Sequence, residues 1–370
     1  MNDVFYFFRQ TPLRRSVLQG ELDDAGAGYL LYGMNHLKRR GASVAHNLTF
    51  PSQIVPHQGR LAHWLGYLLT RCGGLSGDFQ TVFNHRRKAN QCRVILSTVD
   101  TVGIPLTLLN HCGLIARPLI YVSIGLPERI ARLRTPAVRR FYQTQYSHIQ
   151  QFVAYGWEEA QWIRDWLKLP VDSPRVAFIP FGVNETYFIP RPDMPPTVDV
   201  LSIGADPQRN FASLIAIAAS HRSISFRLIV DTDRAAGLGQ VPPNVEVLTN
   251  VPFPEIRNHL ATARVMALPI FENTYSAGTT TLLQAMSMAC PVVVSQTGAI
   301  RNGYHLVDKH NCRLVKPGDD AGFEAALMET LAQPDKARRM GTAARENIEQ
   351  HLSWSRFEAD MASVIWRFMT

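Results

Sequence analysis

The sequence predicts an α/β protein with two doubly wound, Rossmann-like domains that face each other across a cleft. Short apolar runs, rich in β-branched and aromatic residues, alternate with longer amphipathic runs through both halves of the chain. The 370 residues exceed what one hydrophobic core usually takes. Between the halves, IPRPDMPP at 189–196 holds four prolines and is typical of a stiff linker.

These observations set the predicted domain boundaries. We expect a first domain at 1–188, a second at 189–350, and a C-terminal helix at 351–370 that packs back toward the first domain. The cleft between two such sheets is the expected ligand site.

In the first half, each short apolar run ends where a helical pattern begins. Strands are expected at 4–8, 93–98, 118–124 and 151–156, and helices at 28–41 and 156–169. The most apolar region, 102–127, is interrupted by Asn110, His111 and Arg117, so it predicts a buried helix and strand rather than a membrane span.

The second half repeats this rhythm. Strands are expected at VDVLSIG (198–204), FRLIVD, VEVLT, RVMALPI (264–270) and PVVVS, with long helical patterns from Phe323 onward. The DTD at 231–233 follows one of these strands and is expected to form a turn rather than a metal site. No metal and no cofactor are predicted.

Charge is distributed unevenly along the chain. Residues 1–150 hold 18 Lys and Arg against 7 Asp and Glu, a balance of +11, whereas residues 151–370 hold 20 against 23, a balance of −3. This asymmetry predicts an anionic partner for the first half only.

The cysteines and the N-terminus indicate the compartment. Cys72, Cys92, Cys112, Cys290 and Cys312 have neither metal-ligand nor redox spacing and indicate reduced thiols. Because MNDVFYFFRQ lacks the order of a signal peptide, a cytoplasmic location is expected.

One helix start stands out in the second half. YSAGTTTLLQAMSMA (275–289) follows a predicted strand and places Gly278, Thr279 and Thr280 at the first turn of a helix, where unpaired N–H groups carry partial positive charge. This arrangement predicts a phosphate-sized anion site. Gln284, four residues after Thr280, would reach the same ligand. Ordinary N-capping by Ser or Thr explains the pattern equally well.

Six blocks, in order, resemble the nucleotide-binding domain of GT-B glycosyltransferases, especially family 4. They lie between residues 175 and 365: FIPFGVNETYF, VLSIGADPQRNF, VPFPEIRNHLATARVMALPIFE, TLLQAMSMACPVVVSQTGAIRNGY, NCRLVKPGDDAGF and TAARENIEQHLSWSRF. The resemblance implies an enzyme, hexosyltransferase-like, that moves a sugar from a nucleotide diphosphate, with UDP as the expected nucleotide, to a hydroxyl acceptor.

The resemblance also implies residue roles. Val251 would hold the base, and Ser276, Ala277, Gly278 and Thr279 would meet the sugar and diphosphate. Arg209 would neutralise the diphosphate, for which a guanidinium is well suited; an exposed loop arginine is the alternative.

The family's signature of two glutamates eight positions apart is replaced here by Ser276 and Gln284. Gln284 can still hydrogen-bond ribose hydroxyls, and Glu272 is a candidate to replace the missing carboxylate at the sugar. This departure motivates the alternative of a non-catalytic homologue that binds a nucleotide or a partner protein.

The first half resembles the family mainly through DDAGAGYLL (23–31), whose Gly26 and Gly28 are candidates to approach the donor. A dinucleotide fingerprint would need a third glycine, where the chain has Leu31. Asp100 and then Glu128 are the candidate general bases. Retention of anomeric configuration is favoured over inversion, on resemblance alone.

The basic segment ERIARLRTPAVRRFY (128–142) suggests an anionic membrane surface, although a solvated helix, a nucleic acid or an anionic glycan would satisfy the same charges. A lipid-linked or glycan acceptor, in polysaccharide or glycolipid biosynthesis at the cytoplasmic face of a membrane, is therefore expected. A nucleic-acid-binding protein is a third alternative, for which the chain shows no known module.

Overall fold

The computed structural model describes residues 2–48 and 59–369. They form two compact units, Met1–Ile179 with Phe357–Thr370, and Pro180–Arg356. Each unit contains one six-stranded parallel sheet covered by helices. The predicted α/β class with two doubly wound domains is confirmed. The proline-rich segment 189–196 belongs to the second unit.

The first sheet has the strand order β2-β1-β3-β4-β5-β6. Its strands are β1 (Asn2–Phe7), β2 (Val44–His46), β3 (Cys92–Ser97), β4 (Leu119–Ser123), β5 (Gln151–Ala154) and β6 (Val176–Phe178). The helices of this part of the chain are α1 (Pro12–Gln19), α2 (Asp24–Ala27), α3 (Met34–Arg39), α4 (Gly59–Arg71), α5 (Phe79–Asn90), α6 (Asp100–His111), α7 (Leu126–Ala131), α8 (Pro136–Ser147) and α9 (Trp157–Trp166).

The second sheet has the order β12-β11-β10-β7-β8-β9. Its strands are β7 (Val198–Ile203), β8 (Phe226–Val230), β9 (Val245–Thr249), β10 (Ala263–Leu268), β11 (Val292–Ser295) and β12 (Arg313–Val315). Its helices are α10 (Phe211–Ser220), α11 (Thr232–Ala236), α12 (Ile256–Ala261), α13 (Thr279–Ser287), α14 (Asp320–Ala332) and α15 (Pro334–His351), and α16 (Trp354–Trp366) continues into the residues of the first unit.

The central strands are buried on both faces, which explains their continuous apolar runs. Val4, Phe5, Tyr6 and Phe7 of β1 are fully buried, and Phe5 pairs in register with Ile95 of β3. The edge strands β2 and β12 have only three residues each, and neither was predicted as a strand.

The helix predicted at 28–41 is interrupted in the structure. Gly28–Leu31 forms a 3₁₀ turn, and α3 begins only at Met34. Tyr32 (φ 50°) and Gly33 (φ 77°) between them adopt left-handed backbone conformations, which an α-helix does not accept. The prediction of one continuous helix is therefore wrong.

Residues 357–370 complete the first unit. Phe357 and Met361 are buried, and the ring of Phe357 lies 5.7 Å from that of Tyr155. The Glu358 carboxylate accepts a hydrogen bond from Arg39 Nη2 at 3.2 Å and lies 3.3 Å from His36 Nδ1. The unit is therefore discontinuous in sequence.

The apolar region 102–127 forms the buried helix α6 and the buried strand β4, as predicted. Among the described residues, no helix has both the length and the apolar character that crossing a bilayer requires.

Candidate functional site

Two loops at the carboxyl edge of the second sheet are bound to each other. The loop after β7 contains Arg209, whose backbone forms an antiparallel bridge with Ile270, just after β10. Phe271 N donates to Gln208 O at 2.8 Å, and Tyr275 Oη donates to Asp206 Oδ1 at 2.9 Å. Because carboxyl ends of parallel strands share one edge, this is where ligands bind in such sheets.

The Arg209 side chain is turned into the protein rather than into solvent. It is only 3% exposed, and Nη2 donates to Ser202 Oγ at 2.7 Å. Its guanidinium carbon lies 5.4 Å from the centre of the Phe211 ring. Among the described residues, Nε and Nη1 have no hydrogen-bond partner. Burial lowers the pKa of Arg209 to about 10, so the group is still a cation at neutral pH.

Helix α13 begins beside this cation. Gly278 precedes it with φ 72°, and a Cβ there would stand 2.7 Å from Ile270 Cδ1 and 3.4 Å from Arg209 Nη1. Thr279 is 1% exposed, and its Oγ1 has no partner within the described ranges. A buried cation, an unpaired hydroxyl and a helix amino end thus converge, and this combination suits a phosphate.

The remaining predicted donor residues lie at varying distances from this point. Ala277 is buried, and the Ser276 carbonyl accepts a hydrogen bond from Thr279 N at 3.2 Å. Gln284 is 5% exposed, one helical turn beyond the partly buried Thr280. Val251 follows β9, which β7 and β8 separate from β10. The roles of these residues stay predictions.

Glu272 is engaged within the loops. Its Oε1 accepts from Asn273 N at 3.1 Å and Gly298 N at 2.7 Å, and its Oε2 lies 3.4 Å from Arg301 Nη2. The carboxylate therefore joins the loop after β10 to the turn after β11. A contact with a donor sugar would require Glu272 to exchange these partners or to share them.

Sequence reasoning missed two residues at this edge. Asn273 and Thr297 are buried, and neither Asn273 Oδ1 nor Thr297 Oγ1 has a partner in the part of the chain that the structure describes. Each follows the carboxyl end of a strand, β10 and β11, and this position was the available signal. Asn273 Oδ1 can accept a hydrogen bond from a ligand, and the Thr297 hydroxyl can accept or donate one.

In the first unit, the candidate base Asp100 is fully engaged. It is 1% exposed at the start of α6, and its Oδ1 accepts from Tyr121 Oη at 2.6 Å. Its Oδ2 accepts from Arg129 Nε at 3.0 Å. Burial raises the pKa of Asp100 to about 6, against the opposing effect of Arg129. Asp100 therefore fixes neighbouring groups, and its role as a base stays a prediction.

Glu159, a second buried carboxyl group, was not predicted. Its Oε1 accepts from Ser123 Oγ at 2.6 Å, Gly125 N at 2.8 Å and Leu126 N at 3.1 Å, so it holds the turn after β4. Burial, together with the charge of Asp100, raises the pKa of Glu159 to about 8. From sequence it was an ordinary acidic residue in a helix first turn.

The other first-unit candidates lie in helical segments. Glu128 is partly buried in the first turn of α7. Gly26 lies in α2 and Gly28 opens the following 3₁₀ turn, where a Cβ would stand 2.6 Å from Asp24 Oδ1. The segment is helical, because the Asp23 side chain caps a helical turn by accepting from Ala25 N. The approach of Gly26 and Gly28 to the donor stays a prediction.

The DTD segment forms a helix cap, which agrees with its expected turn. Asp231 Oδ1 accepts from Arg234 N at 2.7 Å at the start of α11. Across residues 2–48 and 59–369, no group of three or more His, Cys, Asp or Glu side chains is arranged to hold a metal.

Part of the second unit is similar to a known protein family. Residues 205–333 match the family model described as glycosyl transferases group 1. The chain is 26% identical to the alpha-maltose-1-phosphate synthase of Mycolicibacterium smegmatis over 220 aligned residues. The aligned region covers 50% of this chain. The match spans 55% of that relative, so the chain corresponds to about half of its length.

Similar solved structures extend over the whole chain. The sucrose-phosphate synthase of Thermosynechococcus elongatus aligns with a TM-score of 0.71 at 14% identity, covering 99% of both chains. Anabaena HepE in complex with UDP and glucose aligns with a TM-score of 0.70 at 13% identity, covering 99% of this chain and 100% of HepE. The resemblance to GT-B glycosyltransferases, predicted from the sequence, is confirmed.

Proposed function

We propose that this GT-B chain, with its group 1 glycosyl transferase segment, transfers a sugar from a UDP-sugar to a hydroxyl acceptor. The observation that carries this proposal is the buried guanidinium of Arg209 at the amino end of α13, with Nε and Nη1 lacking partners among the described residues. An unpaired buried cation is costly to a folded protein unless an anion binds there. A nucleoside diphosphate supplies that anion.

The chemistry follows from charge. Transfer breaks the bond between the anomeric carbon and the β-phosphate oxygen, and negative charge accumulates on the departing diphosphate. Arg209 Nη1 lies beside the start of α13, so the guanidinium and the first-turn amides stabilise that charge together. The acceptor oxygen forms the new bond to the anomeric carbon and loses its proton.

The fate of that proton favours retention. For inversion, a carboxylate such as Asp100 would have to take the proton directly. Asp100 is 1% exposed and already accepts from Tyr121 and Arg129. In a retaining transfer the departing phosphate oxygen can take the proton instead. NMR of the product formed from an α-linked donor distinguishes the two outcomes by its anomeric coupling.

The nucleotide site is tested by thermal unfolding with UDP, GDP and ADP, followed by the matching nucleotide sugars. A ligand that binds only the folded state at about 100 times its Kd stabilises it by roughly 2.7 kcal/mol. We expect a shift with UDP. Thr279→Val should weaken that binding and preserve folding, because the hydroxyl has no partner to lose among the described residues. Thr281→Val, two residues further along α13, is the matched control.

The outcomes separate the alternatives. No shift with any nucleotide in a folded sample would favour a non-catalytic homologue. If Thr279→Val and Thr281→Val change UDP binding equally, the start of α13 is not part of the donor site. The enzymatic proposal would then be tested by turnover alone. Release of UDP from a UDP-sugar, dependent on added acceptor, tests the activity itself.

For the acceptor, we propose a lipid-linked or glycan hydroxyl presented at an anionic membrane surface. The segment 132–141 supports this, since Arg132, Arg134 and Arg140 are exposed and Phe141 is 43% exposed beside them. Arginines near anionic headgroups each contribute about 1 kcal/mol, and an aromatic ring inserts at the interface.

Vesicle sedimentation tests this surface. We expect the protein to sediment with phosphatidylglycerol vesicles and to dissociate as salt is raised, since the attraction is screened. Arg140→Ser combined with Phe141→Ser should reduce sedimentation, whereas Arg222→Ser, an exposed arginine of the second unit, should not. Equal sedimentation with neutral phosphatidylcholine vesicles would contradict the proposal.

A further inference from the structure

A large cavity lies in the second unit, on the sheet edge opposite to Arg209. Its volume is about 630 Å³, and Ala263 at the start of β10 and Pro291 just before β11 line it. Arg209 follows β7, and because all strands of this sheet are parallel, the amino and carboxyl ends lie at opposite edges. The cavity is therefore separate from the proposed donor site.

The lining of the cavity is mainly apolar. Leu260, Met288, Cys290 and Leu331 contribute hydrocarbon and sulfur surface, and the proline-rich segment 190–196 forms one wall. The volume is within the range of pockets that hold small molecules, roughly 300–1,000 Å³. No aromatic ring is among the described lining residues, so there is no surface on which a nucleobase would stack.

The charged lining residues all have one sign. They are Arg191, Arg264, Arg338 and Arg345, and no Asp or Glu of the described chain lines the cavity. Arg264 Nη1 donates to Asp199 at 2.8 Å and Arg345 Nε to Glu349 at 2.6 Å, so carboxylates neutralise these two.

The positive charges of the other two arginines are less fully neutralised. Arg191 Nη1 donates at 2.6 Å to Asn258 Oδ1, which is a neutral acceptor. The side chain of Arg338 is 79% exposed, and its carboxylate partner Asp335 is 3.7 Å away. An apolar cavity with two weakly compensated guanidinium groups is complementary to an anion attached to hydrocarbon.

We propose that this cavity binds an amphipathic anion, a short alkyl or isoprenyl chain that ends in a phosphate or a carboxylate. The chain occupies the apolar interior, and the head group pairs with Arg191 and Arg338. Phosphate and carboxylate head groups share the chemistry that the arginines recognise, and they come from different sources, such as lipid phosphates and fatty acids.

Calorimetric titration of the full chain tests this site, with ligands kept below their micelle concentrations. The anionic probes are decyl phosphate and decanoate, compared with neutral decanol and cationic decyltrimethylammonium. We expect one saturable site for an anionic probe and at least about tenfold weaker binding of decanol, since a hydrogen bond to a charged group contributes about that much. A preference between the two anions identifies the source.

Variants locate the binding. Arg191→Ala combined with Arg338→Ala should weaken the anion about tenfold and leave decanol unchanged. Arg339→Ala is the matched control, an exposed neighbour on α15 outside the lining. Ala261→Phe, which fills the cavity, should abolish binding of every probe. A cooperative thermal unfolding transition of each variant verifies its fold.

Several results would overturn the proposal: no saturable binding of either anion, affinity for decanol equal to that for the better of the two anions, or unchanged binding in folded Ala261→Phe. The comparison of head groups needs only the unaltered chain, so a variant that fails to fold does not leave the proposal untested. The outcome is also independent of whether the donor site binds UDP.

Discussion

Arg209 lies so close to Gly278 that a Cβ on the glycine would stand 3.4 Å from Nη1. The glycine therefore leaves the guanidinium exposed to the first turn of α13. Burial lowers the pKa of Arg209, and the negative charge of Asp206 acts in the opposite direction. Asp206 Oδ1 accepts hydrogen bonds from Tyr275 Oη and Gln208 N. Asp206 therefore makes these contacts with the loops as well as its electrostatic interaction with Arg209.

Gly278→Ala should lower both stability and UDP affinity. The backbone is left-handed at φ 72°, and the methyl group would meet Ile270 Cδ1 at 2.7 Å, so strain and collision add to a loss of about 2 kcal/mol. Gly239→Ala is the control, since Gly239 has φ 71° and nothing within 4 Å of its Cβ position. Urea unfolding measures both variants, and equal losses would show that only backbone strain matters.

Arg209→Met should change stability and binding in opposite directions. Without ligand, the variant loses a buried charge with unpaired N–H groups and should be as stable as the parent, or more stable by about 1–3 kcal/mol. Ser202 keeps its hydrogen bond to Ala267 O. UDP affinity should fall by about tenfold or more. Thermal unfolding with and without UDP measures both, and a destabilised variant that retains UDP affinity would contradict the assignment.

Stability should fall as pH rises from about 4.5 to 8 through Glu159. Burial raises the pKa of Glu159 in the folded protein to about 8 from its ordinary value of 4.5, so the folded state holds a proton that the unfolded chain releases within this window. Stability is therefore greatest below the lower value and is lost as pH passes the upper one.

Glu159→Gln removes this titration. The decrease in the free energy of unfolding between about pH 4.5 and 8 should therefore be smaller in the variant, by roughly a few kcal/mol. The measurement is the free energy of unfolding of both proteins, by urea, at several pH values. Parallel curves for parent and variant would show that Glu159 is ionised in the folded protein.

Gly341→Ala should be strongly destabilising. A Cβ there would collide with the carbonyl oxygen of Ala289, which is backbone and cannot rotate away. Gly66→Ala in α4 is the comparison, because its Cβ would meet only Phe79 Cδ2 at 3.5 Å, an ordinary contact. That variant should gain up to about 1 kcal/mol from helix propensity. Thermal unfolding distinguishes them, and similar midpoints would mean that α15 shifts to accommodate the methyl group.

The sequence predicted the fold through strongly patterned elements. The last four residues of β1, β3 and β10 are buried, so each of these strands is recognised by a run of mainly apolar residues. The short edge strands β2 and β12 carry no such pattern over three residues. The interruption before α3 was missed because a single glycine such as Gly33 is tolerated inside a helical pattern, and Tyr32 beside it gives no sign of a left-handed backbone.

At the candidate site, the sequence predicted which residues are present and which strands they follow, but not which of them are buried. The position of Arg209 after a strand was visible, but Ile270 and Gly278, which lie against it, follow a different strand, β10. Glu159 was invisible for the same reason, since its three donors lie at 123–126, far from it in sequence. Long-range contacts of this kind have no local pattern.

The discontinuous first unit has a consequence for how the protein is made. Glu358, Phe357 and Met361 are synthesised after all of the second unit, yet they complete the packing around His36 and Tyr155. During translation the second unit can therefore reach its native state first, while the first sheet waits with part of its apolar surface uncovered. The first unit is therefore begun first during synthesis and completed last.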